Sequence, residues 1–167
     1  MRKMLLTPLI VCIVALLSLL SMPVHATKPI TVSGAWSWMA PSADFNVIRV
    51  AHGNTFVSAV EIDQFTGTFE GSGNGVFTLE MHPCFNTGQG QTLFTGTVLG
   101  KSGTLVIKWV GNTKNDLGYW WFEWTILSGT GELANLRGQG TGWGPGPEFL
   151  DEYGEVELSG KIVFMPD

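Results

Sequence analysis

Cysteine, basic charge and helical periodicity are all scarce in this chain, and each shortage removes a class of protein. Two cysteines occur in 167 residues, Cys12 and Cys84. That is too few for a disulfide framework, and no His/Cys spacing supports a zinc site. Lys and Arg number nine against 14 Asp and Glu. Such an excess of acid argues against nucleic acid and anionic membrane surfaces as partners. No convincing amphipathic helical stripe follows Ile30, which leaves strands to build the domain. No nucleophile elbow, metalloprotease motif or paired-carboxylate signature is present, so no catalytic residue is assigned. Neither a metal nor a cofactor is expected.

What is present begins with a leader. Arg2 and Lys3 precede an apolar run from Met4 to Leu20, and Ser21-Met22-Pro23-Val24-His25-Ala26 supplies a breaking proline and small residues for cleavage. Residues 1–26 are expected to be a secretory signal peptide, with an uncleaved anchor as the alternative. The mature part, residues 27–167, is then a single domain, exported and not membrane-spanning. Its 141 residues suffice for one core. Loss of Arg2 and Lys3 leaves seven basic against 14 acidic residues, a formal charge of −7. Cys12 departs with the leader, and Cys84 is expected to be a small, partly buried residue of the turn His82-Pro83-Cys84-Phe85.

Period-2 alternation recurs along the mature chain. Ile30, Val32, Trp36 and Trp38 share one face of a first strand, and Phe56, Val60 and Ile62 one face of the next clear strand. Gly71-Ser72-Gly73-Asn74-Gly75 reads as a hairpin turn between Gln64–Glu70 and Val76–His82, because Asn-Gly tolerates positive φ. Phe77, Leu79 and Met81 point one way after it. A second hairpin turns at Leu99–Gly103 and presents Leu105, Ile107 and Trp109 together. A polar loop spans Gly111–Gly118, and Trp120, Phe122, Trp124 and Ile126 share a face beyond it. A last strand, Glu155–Phe164, carries Val156, Leu158, Ile162 and Phe164 inward. Roughly eight or nine strands in up-and-down order favour an all-β, closed antiparallel barrel of about eight strands, since closure removes exposed edges. A β-sandwich is the alternative.

The segment Ser128-Gly129-Thr130-Gly131-Glu132-Leu133-Ala134-Asn135-Leu136-Arg137-Gly138 permits a sharp reversal, one helical turn with Leu133 and Leu136 as a plug, and a return to extended chain. Together with Gly67-Thr68-Phe69-Glu70-Gly71, Gly96-Thr97 and Gly103-Thr104-Leu105, it resembles the allene-oxide-cyclase-like barrels. Within them it is most similar to an uncharacterised prokaryotic family related in fold to plant dirigent proteins. The resemblance spans roughly residues 55–143. It implies the barrel architecture and carries no catalytic residue across.

The aromatic concentration is the leading candidate site. Trp109, Trp120, Phe122 and Trp124, with Phe77 and Leu79, fall on predicted inward faces and are expected to line a site for a small apolar ligand; the alternative is that they fill the core. Tyr119 and Trp121, on the opposite face, would serve a homo-oligomer surface. Glu123 alternates outward, so a solvated carboxylate is expected there in preference to a desolvated acid–base group. Glu80 and His82 share a face, without a third ligand for a metal. The glycine-rich Gly71–Gly75 segment is not a phosphate cradle, because a strand follows it. These features lead to the expectation of a secreted, cofactor-free barrel binding a small apolar molecule in its lumen. Two alternatives stay open: a cyclase- or isomerase-type enzyme, and an oligomeric structural or interaction module.

Overall fold

A computed structural model describes residues 28–114 and 118–166. The expected leader, with Cys12, and residues 115–117 of the expected Gly111–Gly118 loop lie outside the described residues; Gly111 to Lys114 of that expected loop are strand. The strands are β1 Ile30–Met39, β2 Asn46–Ala51, β3 Asn54–Gly67, β4 Phe69–Met81, β5 Phe85–Val98, β6 Lys101–Lys114, β7 Tyr119–Gly129, β8 Leu136–Pro145 and β9 Gly154–Phe164. Two single 3-10 turns, Ser42–Asp44 and Gly131–Leu133, complete the described elements. No helix among the described residues is long and apolar enough to cross a membrane.

Neighbouring strands pair antiparallel from β3 through to β9, β9 pairs with β1, and β1 returns to β3 with Gly34 opposite Gly67 and Met39 opposite Ile62. That last pairing closes eight strands into a barrel and rules out the sandwich. β2 is the ninth strand. It continues the edge of β3 that β1 has left, pairing Asn46 with Ser58 and Ala51 with Asn54. The tight turn between β5 and β6 uses Leu99 and Gly100, both at positive φ (52° and 79°), the geometry that matches strand twist.

The inward faces of β6, β7 and β9 are as the alternation predicts. Leu105, Ile107, Trp109, Trp120, Phe122, Trp124, Ile126, Val156, Leu158 and Ile162 are all buried. Rings from β1, β3, β4, β5, β6 and β7 fill the lumen. Where they are largest, the facing strands carry glycine: a Cβ at Gly90 would fall 2.7 Å from the Trp109 indole nitrogen, and one at Gly140 would fall 2.6 Å from the Trp124 ring. Large against small is how a narrow barrel reaches interior density.

Three expectations are corrected. β4 runs unbroken through Gly71–Gly75, and the chain reverses earlier, at Gly67 (φ 95°) and Thr68. Gly73 and Gly75 are buried inward positions, and Cβ atoms there would collide with the Asp63, Glu61 and Thr92 side chains. The inward face of β3 is Val57, Ala59, Glu61, Asp63 and Phe65; Phe56, Val60 and Ile62 lie on the other face and are only half-buried. Both phases of this strand carry apolar residues, so alternation alone does not choose between them. Finally, Cys84 is exposed, because its turn stands at the barrel rim with no layer over it.

Candidate functional site

The lumen divides along its axis. At one end, the 3-10 turn Gly131–Leu133 tucks Leu133 inward, where it and Leu136 are completely buried, in one core with Phe69 and Val98. This is the plug expected from the sequence. Above it an aromatic network runs upward: Phe69 meets Phe94 and Trp124 edge-on at 6.0 and 5.8 Å, Phe65 meets Phe94 at 5.2 Å, and Trp36 meets Phe122 at 5.3 Å.

Level with Trp36 and Trp109 the interior turns polar. Glu61 and Asp63, two residues apart on β3, point into the barrel and are 2% and 0% exposed. They are the only buried carboxyls among the described residues. Thr92 on β5 lies between them, its hydroxyl 2.6 Å from Glu61 Oε1 and 2.9 Å from Asp63 Oδ2. Two indoles complete the cluster. Trp36 Nε1 donates to Asp63 Oδ1 at 2.8 Å, and Trp109 Nε1 donates to Glu61 Oε1 at 3.0 Å. Gly73 and Gly75 on β4 give the acids their room.

Burial pushes the Glu61 carboxyl up to about 8. The neighbouring Asp63 charge is the second contribution to that rise, and the value of about 8 already includes the opposing bonds from Thr92 and Trp109. Burial also raises Asp63, to about 6, with the Trp36 and Thr92 bonds opposing. A carboxyl removed from water and set beside a like charge favours its neutral form. Such desolvated groups concentrate at functional sites, because they cost stability that a hydrophobic core would not.

Beside Glu61 is a cavity of about 20 Å³, walled by Trp36, Trp38, Trp109, Trp120 and Phe122. That is room for one water-sized body. Of the aromatic residues predicted as a ligand site, Trp109, Trp120 and Phe122 line this cavity. Phe77 adjoins it, 6.1 Å from both Trp38 and Trp109 between ring centres. Leu79 packs partly buried against the same core. Trp124 sits deeper, edge-on against Phe69, its indole donating to the Thr141 carbonyl at 3.2 Å.

Sequence reasoning missed Trp36 and Trp38 as lining residues, and Glu61, Asp63 and Thr92 altogether. The available signal was the row Gly71, Gly73, Gly75 at period 2, which marks a strand face whose space a neighbour's side chains occupy. The other polar candidates stay outside. Glu123 is exposed. Glu80 lies 3.6 Å from His82 Nε2 and accepts from Asn54 at 2.9 Å, and no metal-binding group of three occurs among the described residues. Tyr119 and Trp121 face outward, about half exposed, and Tyr119 stacks on exposed Trp143 at 6.1 Å.

Comparison with known proteins places the barrel among relatives. A protein of unknown function from Shewanella oneidensis MR-1, solved as a member of the DUF3224 family, superposes with a TM-score of 0.67 at 16% identity, over 84% of this chain and 100% of its own. The pterocarpan synthase dirigent protein GePTS1 superposes with a TM-score of 0.50 at 15% identity, over 89% of this chain and 96% of its own. At such identities the likeness is one of fold. None of the curated proteins matches the sequence. The family model described as "Protein of unknown function (DUF3224)" matches residues 42–142, a span that holds Glu61, Asp63, Thr92, Trp109, Trp120 and Phe122. The chain belongs to the DUF3224 family.

Proposed function

We propose that this protein is exported by its leader and binds a small apolar molecule at the tryptophan-walled end of the barrel, against Trp109, Trp120 and Phe122 with Trp36 and Trp38. One observation carries this: the lumen is plugged solidly at one end, while beyond the acid pair the rings leave a cavity with a single carboxyl in its wall. Apolar walls around a few placed polar groups are the usual make-up of a small-molecule site. A drug-sized ligand needs roughly 300 Å³ or more, so entry requires the rings to move. Trp38, half-buried, is the one with freedom to do so. Phe77 and Leu79 form the adjoining wall, and Trp124 supports it from below.

Tryptophan emission titrated with 1-dodecanol, dodecanoate and related lipids tests the proposal. A saturable change, lost on Trp120→Ala, is expected. Emission indifferent to every apolar probe overturns it. A second reading, a cofactor-free cyclase- or isomerase-type enzyme, draws support from Glu61 in the cavity wall, since steering a reactive molecule needs a polar group within reach. The outward Tyr119, Trp121 and Trp143 patch supplies a surface through which copies would associate, and sedimentation across a concentration series tests that.

A further inference from the structure

The acid cluster contains more hydrogen-bond contacts than its fixed hydrogens can serve. Four contacts are made: Trp36 to Asp63 Oδ1, Trp109 to Glu61 Oε1, and Thr92 to both Glu61 Oε1 and Asp63 Oδ2. Two indole N–H groups and one hydroxyl supply three hydrogens between them. Thr92 has one O–H and can donate it to only one carboxyl. The remaining contact needs a hydrogen from a carboxyl itself. With Glu61 neutral, its O–H donates to Thr92, and Thr92 donates to Asp63. With the order reversed, Asp63 donates to Thr92, and Thr92 to Glu61. In the first arrangement both oxygens of Asp63 accept hydrogen bonds, which favours its ionised form.

We propose that Glu61 and Asp63 hold one proton between them through Thr92, and that the resulting single negative charge beside the cavity selects neutral, oxygen-headed apolar molecules over fatty-acid anions. This rests on the lumen-binding reading above and names its ligand class. An alcohol or ketone finds in Glu61 a group that can either accept or donate, according to where the shared proton rests. A carboxylate meets a like charge in an apolar enclosure, where repulsion is far stronger than in water. No other charged side chain among the described residues is buried in the lumen to offset it. Moving the proton from Glu61 to Asp63 breaks one carboxyl O–H bond and forms another, with the Thr92 hydrogen passing across in concert, so charge and hydrogen count are conserved.

Two measurements on the full chain test this. Infrared spectra of the unmodified protein at pH 7 should show one protonated carboxyl per molecule, since no other acidic side chain among the described residues is buried. Glu61→Gln or Asp63→Asn should alter that band. No protonated carboxyl, or two, overturns the shared proton, and this count needs neither a ligand nor a variant that folds. For the selectivity, tryptophan emission is titrated with 1-dodecanol and with dodecanoate below micelle formation. The alcohol should bind at least about tenfold more tightly, a factor worth about 1.4 kcal/mol. Equal or tighter dodecanoate binding overturns the selectivity. No response to either probe overturns the lumen-binding reading instead, and the selectivity with it, whatever the proton count.

Discussion

At the plugged end of the barrel Leu133, Leu136, Phe69 and Val98 meet with apolar side chains alone, all of them at 3% exposure or less. Further along the lumen Glu61, Asp63 and Thr92 are buried just as deeply, and two tryptophans direct their indole hydrogens at the acids. The same fold thus buries its interior by two opposite rules. The plug gains from every methylene it removes from water. The acid cluster gives up part of that gain, since a buried ionic group is commonly no more stabilising than a hydrophobic replacement. Cys84 is the single cysteine among the described residues and is free, so no disulfide there offsets such a loss. The contrast separates residues whose burial apolar packing explains from residues whose burial it does not explain.

Four changes would break or sharpen this contrast. Leu133→Ala should cost about 3 kcal/mol in denaturant unfolding, the ordinary result of a cavity in a solid core, while leaving the protonated-carboxyl band in place. A cost below about 1 kcal/mol would mean that the plug is not a packed region. Next in size is the effect of pH. Glu61 and Asp63 lie above their ordinary carboxyl values, so the folded protein holds protons that the unfolded chain releases at neutral pH. Their contribution to stability is complete below the unfolded values near 4 and is lost as pH rises through about 6 for Asp63 and about 8 for Glu61. Stability should therefore fall between pH 6 and 8 by up to about 1.4 kcal/mol per unit. In Glu61→Gln that slope should flatten; a wild-type curve level across this range would contradict the assignment.

Thr92→Val keeps the shape and removes the bridge, and should cost about 2 kcal/mol, the usual penalty for leaving buried acceptors unserved. If chemical denaturation instead finds it as stable as the parent, the hydroxyl does not join the two acids. The smallest effect belongs to the outer face. Trp121 is 52% exposed, and Trp121→Ser should change monomer stability by no more than about 0.5 kcal/mol. A larger loss, dependent on protein concentration, would show that this face is covered in solution.

Much of the barrel is legible in local sequence pattern. β6, β7 and β9 each carry apolar residues mainly in one phase, so their inward faces follow directly from alternation. The turn around Gly131 and its two plug leucines follow from glycine spacing and an i, i+3 pair. β3 is different. Val57, Ala59 and Phe65 lie in one phase and Phe56, Val60 and Ile62 in the other, and the two acids make the true inward face look like the outer one. β4 misleads for a related reason, since Asn74-Gly75 has the local chemistry of a turn.

The sequence by itself determined the all-β class, most of the strands, the up-and-down order and the aromatic wealth of the interior, because those rest on periodicity and on turns that neighbouring residues set. Tertiary structure alone decided that Glu61 and Asp63 face inward. That choice depends on β1 closing against β3, on β4 leaving its glycines empty opposite, and on Trp36, Thr92 and Trp109 arriving from three other strands to satisfy the acids. A buried carboxyl is tolerated only where such partners meet it, and partners separated by up to 48 residues leave no mark in the local pattern.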